Sequence, residues 1–163
     1  GLGEHPGGQA PVTIDILNNV RVIVYLMHED IAFLQYLEEN LKNPVKRLYP
    51  LHLGRAEDLV VFESIEPVDL IVTTRNADFE HFFWVPEEPY LPPGVPFDFS
   101  RIDGLLYRVP VFWELRDGSR NFHYVLAKLN DGRFREVTFL FDTRFGLRGL
   151  PVFFARYGGG RNV

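Results

Sequence analysis

A chain of 163 residues with 46% hydrophobic and 15% aromatic content has the apolar material for one folded domain, which excludes disorder over most of it. No apolar run of about 18 residues could cross a bilayer as a helix, no charged-then-apolar leader is present, and zero cysteines remove disulfides, thiolate metal ligands and a cysteine nucleophile. The net charge of −5 divides unevenly, with 6 Lys+Arg against 16 Asp+Glu over residues 1–100 and 11 against 6 over 101–163, so indiscriminate polyanion binding is disfavoured while a local basic surface is not.

Residues 1–11 (GLGEHPGGQAP) have no periodicity and are expected to be a flexible remnant. The chain starts at Gly1 and its one methionine, Met27, lies inside an apolar run, so a truncated or cleaved chain is expected. Val20 to Met27 (VRVIVYLM) is apolar on both faces apart from Arg21, the pattern of a strand in the middle of a covered sheet. Asp30 can cap a helix carried by Ile31, Leu34, Leu37 and Leu41, which Asn43 and Pro44 end; Glu38 and Glu39 fall on its wet side.

The segment NPVKRLYPLHLGRAEDL (Asn43 to Leu59) follows. Pro44 and Pro50 forbid a further helix or a central strand, and Lys46, Arg47 and Arg55 give it a cationic character around the single Gly54. It reads either as a phosphate-binding loop or as an ordinary connection. Two short runs, Leu59 to Glu63 and Val68 to Thr73, flank a turn at Glu66 and Pro67, and Phe82 to Val85 is a short aromatic strand. A proline-heavy passage, residues 86–104, is expected to cross the surface as an extended bridge between two sheets.

The last third reads as an antiparallel β-meander of Leu105–Leu115, Phe122–Leu129 and Glu136–Phe141, with hairpin turns at Asp117-Gly118 and Asn130-Asp131-Gly132. Arg116, Arg120, Lys128, Arg133 and Arg135 are expected to cluster at its strand ends, and Pro151 to Tyr157 can add a strand before the glycine-rich tail at 158–163. The expected fold class is α+β. Residues 12–85 form part of a ferredoxin-like (RRM-related) split unit, residues 86–104 the crossing, and residues 105–157 the C-terminal meander.

Five scattered histidines (His5, His28, His52, His81 and His123) show no metal-ligand spacing, and neither a phosphate-cradling glycine loop nor a nucleophile elbow occurs, so no metal or cofactor is expected. The adjacent acids Glu57-Asp58 and Glu87-Glu88 read as solvated pairs. Only Lys42, Lys46 and Lys128 are lysines among 17 cations, a bias that suits phosphate and base recognition and that a GC-rich genome would also produce. Arginines beside aromatics such as Tyr49 and Tyr107 point to RNA, while the opposing reading is that most rings fill a core.

The run YPLHLGRAEDLVV (Tyr49 to Val61) resembles the signature of the Cas-five family of CRISPR-associated proteins. LLYRVPVFWEL (Leu105 to Leu115) and FHYVLAKLNDGRF (Phe122 to Phe134) resemble segments of its type I-B branch, so the likeness runs in order over residues 12–157. The resemblance implies a RAMP-type, ferredoxin-like subunit of the Cascade surveillance complex. Such a subunit grips the 5′ handle of the guide RNA, caps the backbone filament and contacts the large subunit. It implies RNA contacts from Gly54 and Arg55, with Lys46, Arg47, Tyr49 and His52 as neighbours; His52 stands where the family has tyrosine. The first strand and thumb hairpin of that family have no counterpart, which implies an unpaired sheet edge open to homodimerisation. The expected activity is binding. The alternatives are a metal-independent endoribonuclease and a protein interaction module, and the expected location is the cytoplasm.

Overall fold

A computed structural model describes residues 19–47, 49–52, 58–144 and 149–155. The terminal remnant and tail, Gly54 and Arg55 lie outside the described residues. The architecture is α+β, mostly strand, with one α-helix and two small antiparallel sheets.

Helix α1 spans Ile31–Lys42 as its periodicity predicts. The Asp30 carboxylate accepts from the amides of Ala32 (2.9 Å) and Phe33 (3.2 Å), satisfying donors that a first turn leaves orphaned. Asn43 ends it and caps a 3₁₀ turn, Pro44–Lys46, which starts on proline because that position needs no amide. Glu39 lies on the wet side, whereas the Glu38 side chain, about one-third exposed, is drawn to Lys42 at 2.5 Å. No residue of α1 is buried. Leu34, Leu37 and Leu41 of its apolar stripe are only half-buried among the described residues, and the caps and local pairs such as Glu38–Lys42 support the helix.

The strands are β1 (Leu70–Asp78), β2 (Phe83–Pro86), β3 (Leu105–Arg116), β4 (Ser119–Asn130), β5 (Arg133–Asp142) and β6 (Leu150–Val152). One sheet has the order β1-β5-β6 and the other β2-β4-β3. The doubly covered central strand is β5, not Val20–Met27. Its Val137, Phe139 and Phe141 enter one core with Val85, Ile102 and Phe134, while Leu140 enters a second with Leu91 and Val152. Val20–Met27 belongs to neither sheet and stays largely exposed, with Val24 at 70%. Leu59–Glu63 is likewise not a strand beyond one bridge at Leu59.

Of the two hairpin turns expected in the last third, one forms and one does not. Asp117-Gly118 makes the tight β3–β4 turn, both residues adopting the positive φ (50° and 76°) that such a turn requires. Asn130-Asp131-Gly132 is instead a corner between sheets, because β4 and β5 do not pair. The buried Asn130 amide donates to the carbonyls of Asp103 (2.8 Å) and Arg133 (3.2 Å), and its oxygen accepts from the Gly132 amide (2.8 Å). The Phe79 amide donates to the Gly132 carbonyl (3.0 Å), directing β5 to β1, where Arg133 pairs with Asp78. The meander is thus divided between the sheets.

The proline-rich passage does not join the two sheets: it runs from β2 to β3 of the same sheet and reaches over to the other on the way. It leaves β2 at Pro86 and forms a bridge between Pro89 and Ala155, and the Tyr90 amide donates to the Phe154 carbonyl at 2.8 Å. Leu91 and Val95 cover one face of the β5 sheet, Phe99 and Ile102 the other, and Phe97 touches both cores. Strands from before this passage pair with strands after it, β1 with β5 and β2 with β4.

The N-terminal segment is tied down by an exposed Arg21–Glu63 ion pair and by a polar cluster around Asp142. Tyr25 Oη donates to Asp142 Oδ2 (3.0 Å), and Arg144 donates to the same carboxylate from Nε (3.1 Å), a terminal guanidinium nitrogen (3.0 Å) and its amide (3.0 Å). Arg144 also donates to the Pro67 carbonyl at 2.9 Å. Asp142 is fully buried. Burial opposes its ionisation, but the Arg144 bonds and the Tyr25 hydroxyl outweigh that and hold its carboxyl below the usual range. Burial first, and then the bond to Asp142, push the Tyr25 phenol far above its ordinary value.

Candidate nucleic-acid interface

The segment singled out in the sequence leaves α1 through the 3₁₀ turn and is closed further on by a short antiparallel ladder. His52 bridges to Leu59, and the Val60 amide donates to the Leu51 carbonyl at 2.8 Å. These contacts bracket positions 53–57, which include Gly54 and Arg55 and lie outside the described residues.

Its cations are not equivalent. Lys46 is ion-paired with Glu39, so its charge is largely balanced from α1. Arg47 lies with its guanidinium 5.6 Å from the centroid of the Phe62 ring, and its Nε is buried without a hydrogen-bond partner among the described residues. Arg47 and Phe62 line an open groove with Leu41, Pro44, Val61 and Ile65. Tyr49 is the most accessible ring near these cations, 80% exposed and able to present a face to a base. The His52 ring is exposed as well. Lys46, Arg47, Tyr49 and His52 are therefore carried on one segment, but Lys46 already has a partner.

The basic residues of the last third do not form one patch. Arg116 pairs with Glu114 at 2.5 Å and Arg120 stacks over Trp113 near the β3–β4 turn, whereas Arg133 pairs with Asp131 and Arg135 with Asp78 (2.9 Å) at the start of β5. Along β4, Arg120 and Lys128 are eight residues apart, roughly 27 Å at strand rise. Lys128 is structural: its ammonium donates to the carbonyls of Phe99 (3.1 Å) and Ile102 (2.7 Å) and lies over the Phe99 ring.

Beside the Arg133 group, the open pocket of Asn76, Arg101, Arg135 and Glu136 is built around a bulge. Glu136 has φ 52°, its amide donates to Asn76 Oδ1 (2.7 Å), and its carboxylate accepts from Arg101 (3.0 Å). These cations are internally matched. Among the described residues no three His, Asp or Glu side chains are grouped to hold a metal ion, and no helix is long and apolar enough to cross a membrane.

Sequence reasoning missed the exposed arginine–aromatic face of the β3–β4 hairpin, where Arg108 stacks on Tyr124 and Arg120 on Trp113. The alternation of LLYRVPVFWEL carried a signal for it, but only the register says which arginine shares a face with which ring. Comparison with protein-family models, with curated proteins and with solved structures finds no match to this chain.

Proposed function

We propose that this chain is a non-catalytic RNA-holding subunit related to the Cas-five family. In this reading it binds the 5′ handle of a guide RNA and caps the backbone filament of a Cascade complex. The observation that carries it is the exposed Tyr49, two residues along the chain from Arg47, within the segment whose sequence resembles that family's signature. An exposed ring and a guanidinium carried on one short segment offer base stacking and phosphate neutralisation. Lys46, His52, Gly54 and Arg55 complete the proposed contact segment. The finer fold expectation, a ferredoxin-like unit containing Val20–Met27 and α1, belongs to the same reading. Both carry exposed apolar side chains, including Val24, Leu26 and Tyr36, that neighbouring subunits or a second copy would bury on assembly.

Labelled CRISPR repeat RNA incubated with the protein in EDTA tests the reading. The RNA is expected to stay intact and be retained, with affinity falling linearly in log salt. Tyr49→Ala is expected to weaken retention roughly tenfold, the scale of one lost stacking contact. Sequence-dependent cleavage would replace the holding role with an endoribonuclease. No retention at about 100 mM salt would leave a protein interaction module.

A further inference from the structure

The β3–β4 hairpin outruns its neighbours. β2 pairs with β4 only from Ala127 to Asn130, so the paired stretch from Arg108–Leu126 to the turn is a two-stranded ribbon with both faces open among the described residues. Directly opposed side chains share a face. The pairs Arg108↔Leu126 and Trp113↔Phe122, with Tyr124 and Arg120 on the same side of β4, therefore define one surface. Its guanidiniums stack on its rings, Arg108 at 4.5 Å from the Tyr124 centroid and Arg120 at 4.8 Å from that of Trp113. The three rings remain 43–44% exposed. Among the described residues no carboxylate of the ribbon lies on this face; Glu114 is on the opposite one, bonded to His123 and Arg116.

We propose that this ribbon face is a nucleic-acid surface separate from the Tyr49 segment, taking a single strand by stacking bases on Trp113, Phe122 and Tyr124 with Arg108 and Arg120 on its phosphates. The charge selects the partner. Two arginines without a carboxylate disfavour a basic protein and favour a polyanion, and accessible rings favour unstacked bases over a duplex. A guanidinium stacked on a ring keeps its edge donors for phosphate oxygens. This face is built without any residue of the Tyr49 segment and binds independently of the family resemblance.

The chain has two tryptophans, so Trp84→Phe leaves Trp113 as the only indole reporter. Titration of that variant with single-stranded oligouridylate, and separately with oligothymidylate, is expected to quench Trp113 emission to saturation. The two arms show whether RNA or DNA is preferred. Adding Arg108→Ala and Arg120→Ala is expected to weaken binding at least tenfold and to lower the salt slope by about 1 to 2. Adding Arg47→Ala and Tyr49→Ala instead is expected to leave the quench in place, and failure of the repeat-RNA test would then remove only the loop reading.

Absence of quenching with either strand would overturn the proposal, and it needs no change to the ribbon. So would unchanged affinity in a folded arginine variant, tighter binding of a duplex, or concentration-dependent dimerisation that the arginine variant abolishes.

Discussion

Gly132→Ala is expected to destabilise the chain by about 3 kcal/mol or more. Gly132 has φ 91°, and a Cβ there would sit 2.4 Å from the Phe79 carbonyl oxygen and 2.7 Å from that of His81. Both obstacles are backbone, so the corner itself must move. That movement would disturb the Phe79–Gly132 hydrogen bond and the Asn130 side-chain bonds that turn the chain from one sheet into the other. Gly118→Ala is the matched control. Its φ is 76° but nothing lies within 4 Å of the added atom, so only the left-handed backbone cost of about 1–2 kcal/mol is expected. Urea unfolding of the two variants checks the difference; equal losses would contradict the corner.

Asp142→Ala is expected to cost about 2–3 kcal/mol. Removing the carboxylate leaves the Tyr25 hydroxyl and the Arg144 guanidinium without their shared acceptor in a partly closed site. Arg144 is one-third exposed and can recruit water, which places the loss at the lower end for a broken buried pair. The same carboxylate gives the fold a pH dependence of definite sign. Its folded value lies below the ordinary 3.8 of the unfolded chain, so its contribution is full above that value and is lost as pH falls through the folded one. Wild-type stability should therefore fall on acidification below about pH 4 more steeply than that of Asp142→Ala. Parallel slopes in urea titrations across that range would remove the cluster as the cause.

Local chemistry made some of this fold legible. Asp30, the leucine spacing and Pro44 set α1 almost to the residue, and Asp117-Gly118 set the β3–β4 turn, because both depend on a few neighbouring residues. Val20–Met27 misled for the opposite reason. Its pattern shows that it could be covered on both faces, but coverage depends on partners elsewhere, and β5 took the central place between β1 and β6. Asn130-Asp131-Gly132 signalled a reversal without showing which strand β5 would meet. In the candidate interface, residue types identified Tyr49 and Arg47 but did not reveal that Glu39 holds Lys46, since the two meet only when α1 and its 3₁₀ extension stack end to end. The ribbon face was hidden by register, which composition does not encode.

Photo-crosslinking of the intact chain to 4-thiouridine-substituted repeat RNA, followed by peptide mass spectrometry, tests the central claim that this chain holds RNA through an exposed ring and a guanidinium carried on one short segment. The predicted result is an adduct on the peptide containing Tyr49, lost at high salt, with separate adducts on the peptides of Trp113 and Tyr124 if the ribbon also binds. RNA adducts confined to peptides outside both regions, or none at low salt, would contradict it.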